Sequence, residues 1–424
     1  MITEHEGPGA LVIFANFVSP LAIDLREESV LRQWSEQAPR KLWLTRSGDV
    51  VITPVPLSVA FRRYVFHRLG IPEGSVAVIT VPDTPHLPMA EALAEHRLLE
   101  PLRALVRERP GARLLPTALD EASVALAASL RIPVVPYEAG VPHPGTLRAV
   151  ADMNTKSGFR AVARLLGLRL PHGRACTGAE LGQVTGALLA AHERVVVKPD
   201  RSAGGHGLYF VTRGDRPAQP APPPDSRWVV EGYVDHTRAV SAQGHATAAR
   251  AEVAYDGEMR MSNCSFAGYR SPPRDLPDPA RRELTCWTRA LGGHLAAEGY
   301  RGPYSLDSVC TRDGTLYALE CNVRRTATTT AHALVSRLAR TGHPTPAWST
   351  GTATAASPLS FDTAVARLAE AGLDFQPGDA DGVLLYADRP VNGSGWRYTA
   401  LAPHHTRLAE LEVRLAAALG HEGP

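Results

Sequence analysis

Three oxygen-bearing residues have the types and spacing to hold a cation between two strands. They lie in Tyr304-Ser305-Leu306-Asp307-Ser308-Val309-Cys310 and Leu316-Tyr317-Ala318-Leu319-Glu320-Cys321-Asn322-Val323-Arg324, with Asp313-Gly314 between the runs. An Asp-Gly pair flanked by β-prone runs predicts a hairpin. With those two residues as the turn, Arg312 pairs with Thr315, Asp307 with Glu320 and Ser305 with Asn322. Side chains alternate along a strand, so Glu320, Asn322 and Arg324 share a face, and Asp307 projects from it too. Carboxylates placed directly opposite each other destabilise a hairpin, so a cation is expected between them. Arg324 is one candidate. A divalent metal is the other, and an Asp/Glu/Asn oxygen set suits magnesium. The competing reading is a solvated acidic face neutralised by arginines.

Only Lys41, Lys156 and Lys198 among the 45 basic residues are lysines. In so arginine-rich a chain, a retained lysine marks a place that needs a compact ammonium rather than a planar fork. Lys41 is read as chance survival. Lys198 ends the apolar run Val195-Val196-Val197, which points its charge at a site rather than into a core. The loop Ser202-Ala203-Gly204-Gly205-His206-Gly207 follows closely. Its glycines let backbone N–H groups approach phosphate oxygens. No lysine and Ser/Thr follow the last glycine, so it is not a Walker loop. The run Trp228-Val229-Val230-Glu231-Gly232-Tyr233-Val234 is either an ordinary buried strand or a strand whose extended end offers backbone groups to an adenine edge.

These residues need a scaffold of more than one domain, because 424 residues exceed a single core. Residues 1–145 read as α/β. Apolar runs at 11–17, 76–81 and 132–136 alternate with helical patterns such as 89–107 and 119–130, which suggests a mainly parallel sheet. No GxGxxG follows the first run, which excludes a dinucleotide fingerprint there. Residues 146–345 carry the chemistry, with a helix at 156–166, strands at 195–198 and 228–233, and a helix striped by Leu284, Trp287, Leu291 and Leu295. Pro217 to Pro224 reads as an exposed loop. Residues 346–424 read as a small α+β unit: helices at 361–371 and 405–419, strands at 382–386 and 396–401, and a turn at 392–395. A net charge of +2 makes no case for nucleic acid or membrane as partner. The apolar stretch 10–18 is too short to span a membrane and lacks a basic leader. Five cysteines without a CxxC pair suit reduced thiols, hence a cytoplasmic setting.

Taken in order, Asn154-Thr155-Lys156, Lys198, the glycine loop, Val230-Glu231-Gly232-Tyr233-Val234, Asp307 and Glu320-Cys321-Asn322-Val323-Arg324 resemble the ATP-grasp superfamily. The resemblance implies an ATP-grasp fold: an N-terminal α/β pre-ATP-grasp domain, two α+β subdomains around ATP, and a small C-terminal α+β domain. It implies that Lys156 and Lys198 contact the nucleotide phosphates. It places Ser202, Gly204, Gly205, His206 and Gly207 over them, and adenine against backbone groups of Glu231 and Val234. Many such hinges carry a second acidic residue for the ribose. Here Asp235-His236-Thr237-Arg238 stands there instead, and His236 joins the nucleotide-site candidates. Asp307, Glu320 and Asn322 would bind magnesium, two ions in all. The whole chain is similar to a narrower group, the pheganomycin-type peptide ligases, through Pro39-Arg40-Lys41-Leu42-Trp43-Leu44, Gly48-Asp49-Val50-Val51, Asn154-Thr155-Lys156-Ser157-Gly158-Phe159 and Gly382-Val383-Leu384-Leu385.

The activity implied is ADP-forming carboxylate–amine ligation in specialised peptide biosynthesis. An amino acid carboxylate takes the γ-phosphoryl group of ATP, and the amine of an amino acid or peptide then attacks the acyl phosphate. Arg324 is expected near the developing oxyanion, with Arg270 and Arg325 as alternatives. The competing expectations are a small-molecule kinase or carboxylase of the same superfamily, and an ATP-binding regulator without turnover. Dimers are common among such enzymes, so a homodimer is compatible.

Overall fold

The computed structural model describes residues 9–22, 28–82, 87–137, 141–215, 222–262, 265–339 and 346–420. Residues 217–221 of the expected proline-rich loop lie outside them, as does Cys264. Strands β1 (Leu11–Phe14), β2 (Val50–Thr53), β3 (Ala77–Thr80) and β4 (Arg113–Pro116) form a parallel sheet in the order β3-β2-β1-β4. Its two central strands are apolar at nearly every position because both faces are covered. Five helices belong to this layer: α1 (Glu28–Ser35), α2 (Val59–Leu69), α3 (Met89–Glu95), α4 (Leu99–Arg107) and α5 (Glu121–Leu130). The single helix expected over 89–107 is two. Arg97 takes a left-handed φ of 58° between them, and the Leu98 N–H turns back to the Leu93 carbonyl. The run at 132–136 supplies only a bridge from Val134 to Leu114, since Pro133 and Pro136 cannot donate to a ladder.

Helices α6 (Pro144–Met153) and α7 (Lys156–Leu165) lead to an antiparallel sheet of β5 (Gly173–Thr177), β6 (Arg194–Pro199), β7 (Tyr209–Thr212) and β8 (Arg227–Gly232), ordered β5-β8-β6-β7. Helix α8 (Leu181–Ala191) packs on it through Leu181, Val184 and Leu188. Thr155 caps α7, its Oγ1 accepting the Gly158 N–H at 3.0 Å.

The third sheet has eight strands: β9 (Arg238–Ala246), β10 (Ala251–Ser262), β11 (Ser265–Ser271), β12 (Gly302–Cys310), β13 (Leu316–Asn322), β14 (Ala347–Thr354), β15 (Gly382–Leu385) and β16 (Gly395–Ala402). Their order is β13-β12-β9-β10-β11-β14-β16-β15, antiparallel throughout. Helix α9 (Asp278–Ala297) lays its expected stripe of Leu284, Trp287, Leu291 and Leu295 into the core. The sheet runs past residue 345, where a boundary is expected, because β11 pairs with β14. Helices α10 (Ala327–Leu338), α11 (Phe361–Glu370) and α12 (His405–Gly420) complete the chain. Trp43 of the first layer packs edge-on against Phe61 and Tyr64, and each of these against Phe361, in one apolar cluster, which also takes in Trp396. Among the described residues no helix is long and apolar enough to cross a membrane.

Candidate active site

The β12–β13 hairpin pairs Asp307 with Glu320 and Ser305 with Asn322, the register read from the sequence. It reaches that register by a different route. The turn is one residue longer than expected: the Thr311 N–H bonds the Thr315 carbonyl, and Arg312, Asp313 and Gly314 form the loop. Gly314 takes φ 87°, which a glycine accepts without strain. A bulge between Asp307 and Ser308 then offsets the longer turn, leaving Leu319 as the extra residue opposite.

Asp307 is the most constrained member of the set. Ser241 on β9, its neighbour across the sheet, donates Oγ to Asp307 Oδ1 at 2.6 Å, and Asn322 Nδ2 lies 3.1 Å from Oδ2. Gln243 Nε2 supports Ser241 at 2.9 Å. Burial, with the facing charge of Glu320 second, pushes the Asp307 carboxyl up to about 7. Arg324 stands beside them, donating Nη2 to Asn322 Oδ1 at 2.6 Å and Nη1 to Asn154 Oδ1 at 2.8 Å. Burial lowers its guanidinium, opposed by Glu320 and Asp307.

Lys156 joins this hairpin to the glycine loop. Its Nζ lies 3.5 Å from Glu320 Oε2 and donates to Ser202 at 3.0 Å (Oγ) and 3.1 Å (carbonyl). Burial lowers its ammonium, Glu320 raises it, and neighbouring Lys198 lowers it again. Asp200 fixes the start of α7: its carboxylate accepts the Ser157 N–H at 2.7 Å and hydroxyl at 2.9 Å, and its carbonyl accepts the Lys156 N–H at 2.8 Å. Gly204, Gly205 and Gly207 adopt φ of 63°, 83° and 71°, so this loop conformation depends on glycine. Lys198 is buried with its ammonium 2.5 Å from Glu231 Oε2, and Arg160 closes on the other carboxylate oxygen.

Glu231 therefore plays a part different from the expected one. Its backbone pairs with Val196 in the β6–β8 ladder, whose alternation brings the Tyr233 N–H to the Arg194 carbonyl and commits both Glu231 backbone groups to β6. The extended end of β8 instead leaves the Gly232 carbonyl and the Val234 N–H outside the ladder. His236 turns back, its Nδ1 2.9 Å from the Val234 carbonyl. His206 stays in the glycine loop, its N–H on the Ala203 carbonyl. Arg270 is not brought to the hairpin; on β11 it pairs with Glu412 of α12 at 3.1 Å. Arg325 reaches the first layer, donating to the Pro116 carbonyl at 2.6 Å.

Among the described residues no three or more His, Cys, Asp or Glu side chains cluster as a metal set. The hairpin reaches three donors only through the Asn322 amide. The set fits magnesium in chemistry: every donor is oxygen, and two carboxylates facing each other across the hairpin, Asp307 and Glu320, call for a cation. Sequence reasoning quoted Asn154 without giving it a role, and missed Asp200, Ser241 and Gln243 as parts of the site. Only the alternation of Ser241 and Gln243 along a strand beside Asp307 could have marked two of them.

A family model described as the pre ATP-grasp domain matches residues 38–132, and one described as the PGM1 C-terminal domain matches residues 363–415. A search of curated protein sequences returned no match. Among solved structures, N5-carboxyaminoimidazole ribonucleotide synthetase from Thermus thermophilus superposes with a TM-score of 0.59 at 14% identity, covering 98% of this chain and 99% of that one. Biotin carboxylase from Campylobacter jejuni, in complex with a nucleotide, gives 0.58 at 14%, covering 96% and 91%. Carboxyaminoimidazole ribonucleotide synthase from Aspergillus clavatus, complexed with ATP, gives 0.56 at 13%, covering 98% and 99%. The chain has an ATP-grasp fold with a pre-ATP-grasp domain.

Proposed function

We propose that the chain is an ATP-dependent carboxylate–amine ligase that forms an amide through an acyl phosphate and releases ADP and phosphate. The observation that carries this reading is the position of Lys156, whose one ammonium touches both the glycine loop at Ser202 and the acidic hairpin at Glu320. Phosphates lying between loop and hairpin would meet Lys156, Lys198 and the loop N–H groups. The Gly232 carbonyl and Val234 N–H would meet the adenine edge. Asp307, Glu320 and Asn322 would hold magnesium, which when bound neutralises phosphate charge. A carboxylate oxygen attacks the γ-phosphorus and ADP leaves. The amine nitrogen then attacks the acyl carbon, phosphate leaves, and the amine proton passes to phosphate or water. Arg324, held by Asn154 and Asn322, would face the oxyanion of the second step. The substrates proposed are an amino acid carboxylate and the amine of an amino acid or peptide, in specialised peptide biosynthesis.

Incubation with ATP, magnesium, an amino acid panel and hydroxylamine tests this. A hydroxamate formed together with ADP is expected. AMP and pyrophosphate as products would sink the acyl-phosphate route. ATP consumed only with an alcohol would make the protein a kinase, and only with bicarbonate a carboxylase. Glu320→Ala is expected to lower ADP formation by on the order of 100-fold or more; near-native turnover would refute its role.

A further inference from the structure

Helix α7 carries two buried basic residues one turn apart, Lys156 and Arg160. Lys156 reaches the acidic hairpin, whereas Arg160 turns to the antiparallel sheet of β5 to β8. In that sheet Val196 pairs with Glu231 and Lys198 with Val229, so Lys198 and Glu231 share one face, diagonal to each other. The opposite face packs on α8 through Val195, Val197 and Val230. Arg160 meets the Lys198–Glu231 face with both ends of its fork. Its Nη1 donates to Glu231 Oε1, and its Nη2 donates to the Pro171 carbonyl at 3.1 Å and the Gly173 carbonyl at 2.8 Å. Lys198 holds the other carboxylate oxygen, Oε2, at 2.5 Å. All three side chains are buried: Arg160 is 3%, Lys198 6% and Glu231 2% exposed.

A lysine paired one-to-one with a buried carboxylate presents no net charge to a ligand. Two cations on one carboxylate leave the cluster with one positive charge, undiminished by solvent where the groups are buried. The two cations are held differently. Arg160 is tied to the backbone entering β5, which a planar fork can reach while it also grips the carboxylate. Lys198 is a compact charge at the end of β6, near enough to Lys156 to lower that ammonium. We propose that Arg160 is a positioning residue of the nucleotide site: by binding the second oxygen of Glu231, it leaves the charge of Lys198 uncompensated for a nucleotide phosphate. The inference rests on the proposed contact of Lys198 with the phosphates, and it assigns Arg160 no contact with the nucleotide.

Calorimetry on the full chain tests this, with ATP and magnesium as one ligand and adenosine as the uncharged comparison. Arg160→Gln is expected to weaken ATP binding by roughly 10- to 100-fold, the scale of one charge-assisted bond, and to leave adenosine affinity unchanged. Unchanged ATP affinity, or equal losses for both ligands as a purely structural support would give, overturns the proposal. Removing the carboxylate as well decides whether Arg160 acts through Glu231. The Arg160→Gln/Glu231→Gln double variant should recover most of the ATP affinity, because Lys198 again carries a net charge. A double variant as weak as Arg160→Gln alone overturns the proposal. Arg160→Lys keeps a cation and loses the fork, so its Tm should fall while most of the ATP affinity remains; affinity lost as in Arg160→Gln would count against the charge argument. Should Arg160→Gln not fold, Glu231→Gln carries the test. It should bind ATP at least as tightly as the native chain, and weaker binding overturns the proposal. A native chain that binds neither ligand would refute the nucleotide site itself, and the role of Arg160 with it.

Discussion

Glu231 accepts from two buried cations at once, Lys198 and Arg160. Such a cluster contributes through the cost of breaking it: Glu231→Ala strands two buried positive charges. We expect it to lower unfolding free energy by about 3–5 kcal/mol, read from urea denaturation. Glu231→Gln, which keeps acceptor capacity, should cost less, and equal stabilities for both variants would contradict the ion-pair role. His332 illustrates the opposite charge logic. It stacks on Tyr255 with ring centroids 3.9 Å apart, and burial pushes its imidazole down to about 4 from 6.5. The unfolded chain then binds the proton more readily than the folded one. The stabilising contribution is complete above pH 6.5 and is lost as pH falls from 6.5 toward 4. Its full size is on the order of 3 kcal/mol. His332→Phe retains the stack and cannot titrate, so its stability should fall less steeply between pH 7 and 5. An equally steep fall would assign the acid sensitivity elsewhere.

At the scale of elements, the β12–β13 hairpin shows how two irregularities compensate. A turn lengthened by one residue would by itself rotate the acidic face of β13 away from Asp307, because strand side chains alternate. The extra residue Leu319 restores it. Deleting Leu319 should therefore leave the strands paired while turning Glu320 and Asn322 to the other face. The expected result is near-native circular dichroism with loss of magnesium-dependent nucleotide binding by calorimetry; retained binding would show that the bulge is dispensable. Helix α7 is positioned with similar care. Gly158 is required where it stands, since a Cβ there would lie 2.2 Å from the Asp152 carbonyl oxygen. That close approach sets the chain entering α7 and hence the direction of Lys156.

For the whole molecule, the last eighty residues are part of the scaffold rather than an appendage. Strands β14, β16 and β15 continue the sheet that carries the acidic hairpin, and Phe361 and Trp396 share a core with Trp43 and Phe61 of the first layer. Asp388 accepts the Ser58 N–H at 2.8 Å and its hydroxyl at 2.5 Å, and Arg68 pairs with Asp374. A chain ending at residue 345 would expose the edge of β11 and a broad apolar face. It should aggregate or show a non-cooperative thermal transition, whereas a soluble, cooperatively folding product would show that the unit is separable.

Local structure was legible in the sequence: the hairpin that faces Asp307 with Glu320, the lysine at a strand end, the glycine loop, the stripe of α9, and the helices α7, α11 and α12. Each depends on neighbours a few residues apart, where periodicity and turn chemistry act. Even there, the register of Asp307 and Glu320 came out right although neither the turn length nor the bulge was foreseen. The tertiary structure decided what distant residues share. The strands β9, β10, β11 and β14 owe their pairing to partners far along the chain, so their sequences alone did not announce an eight-stranded sheet. The Glu231 carboxylate met Lys198 and Arg160, while its backbone groups were taken up by the ladder with β6. Arg270 was drawn to Glu412 on α12. Lys41, read as chance survival, was set with Arg40 over the Phe17 ring and bonded to Thr330 of α10, far along the chain. Burial strengthens the interaction between charges, and burial is a property of the packed molecule rather than of any local run of residues.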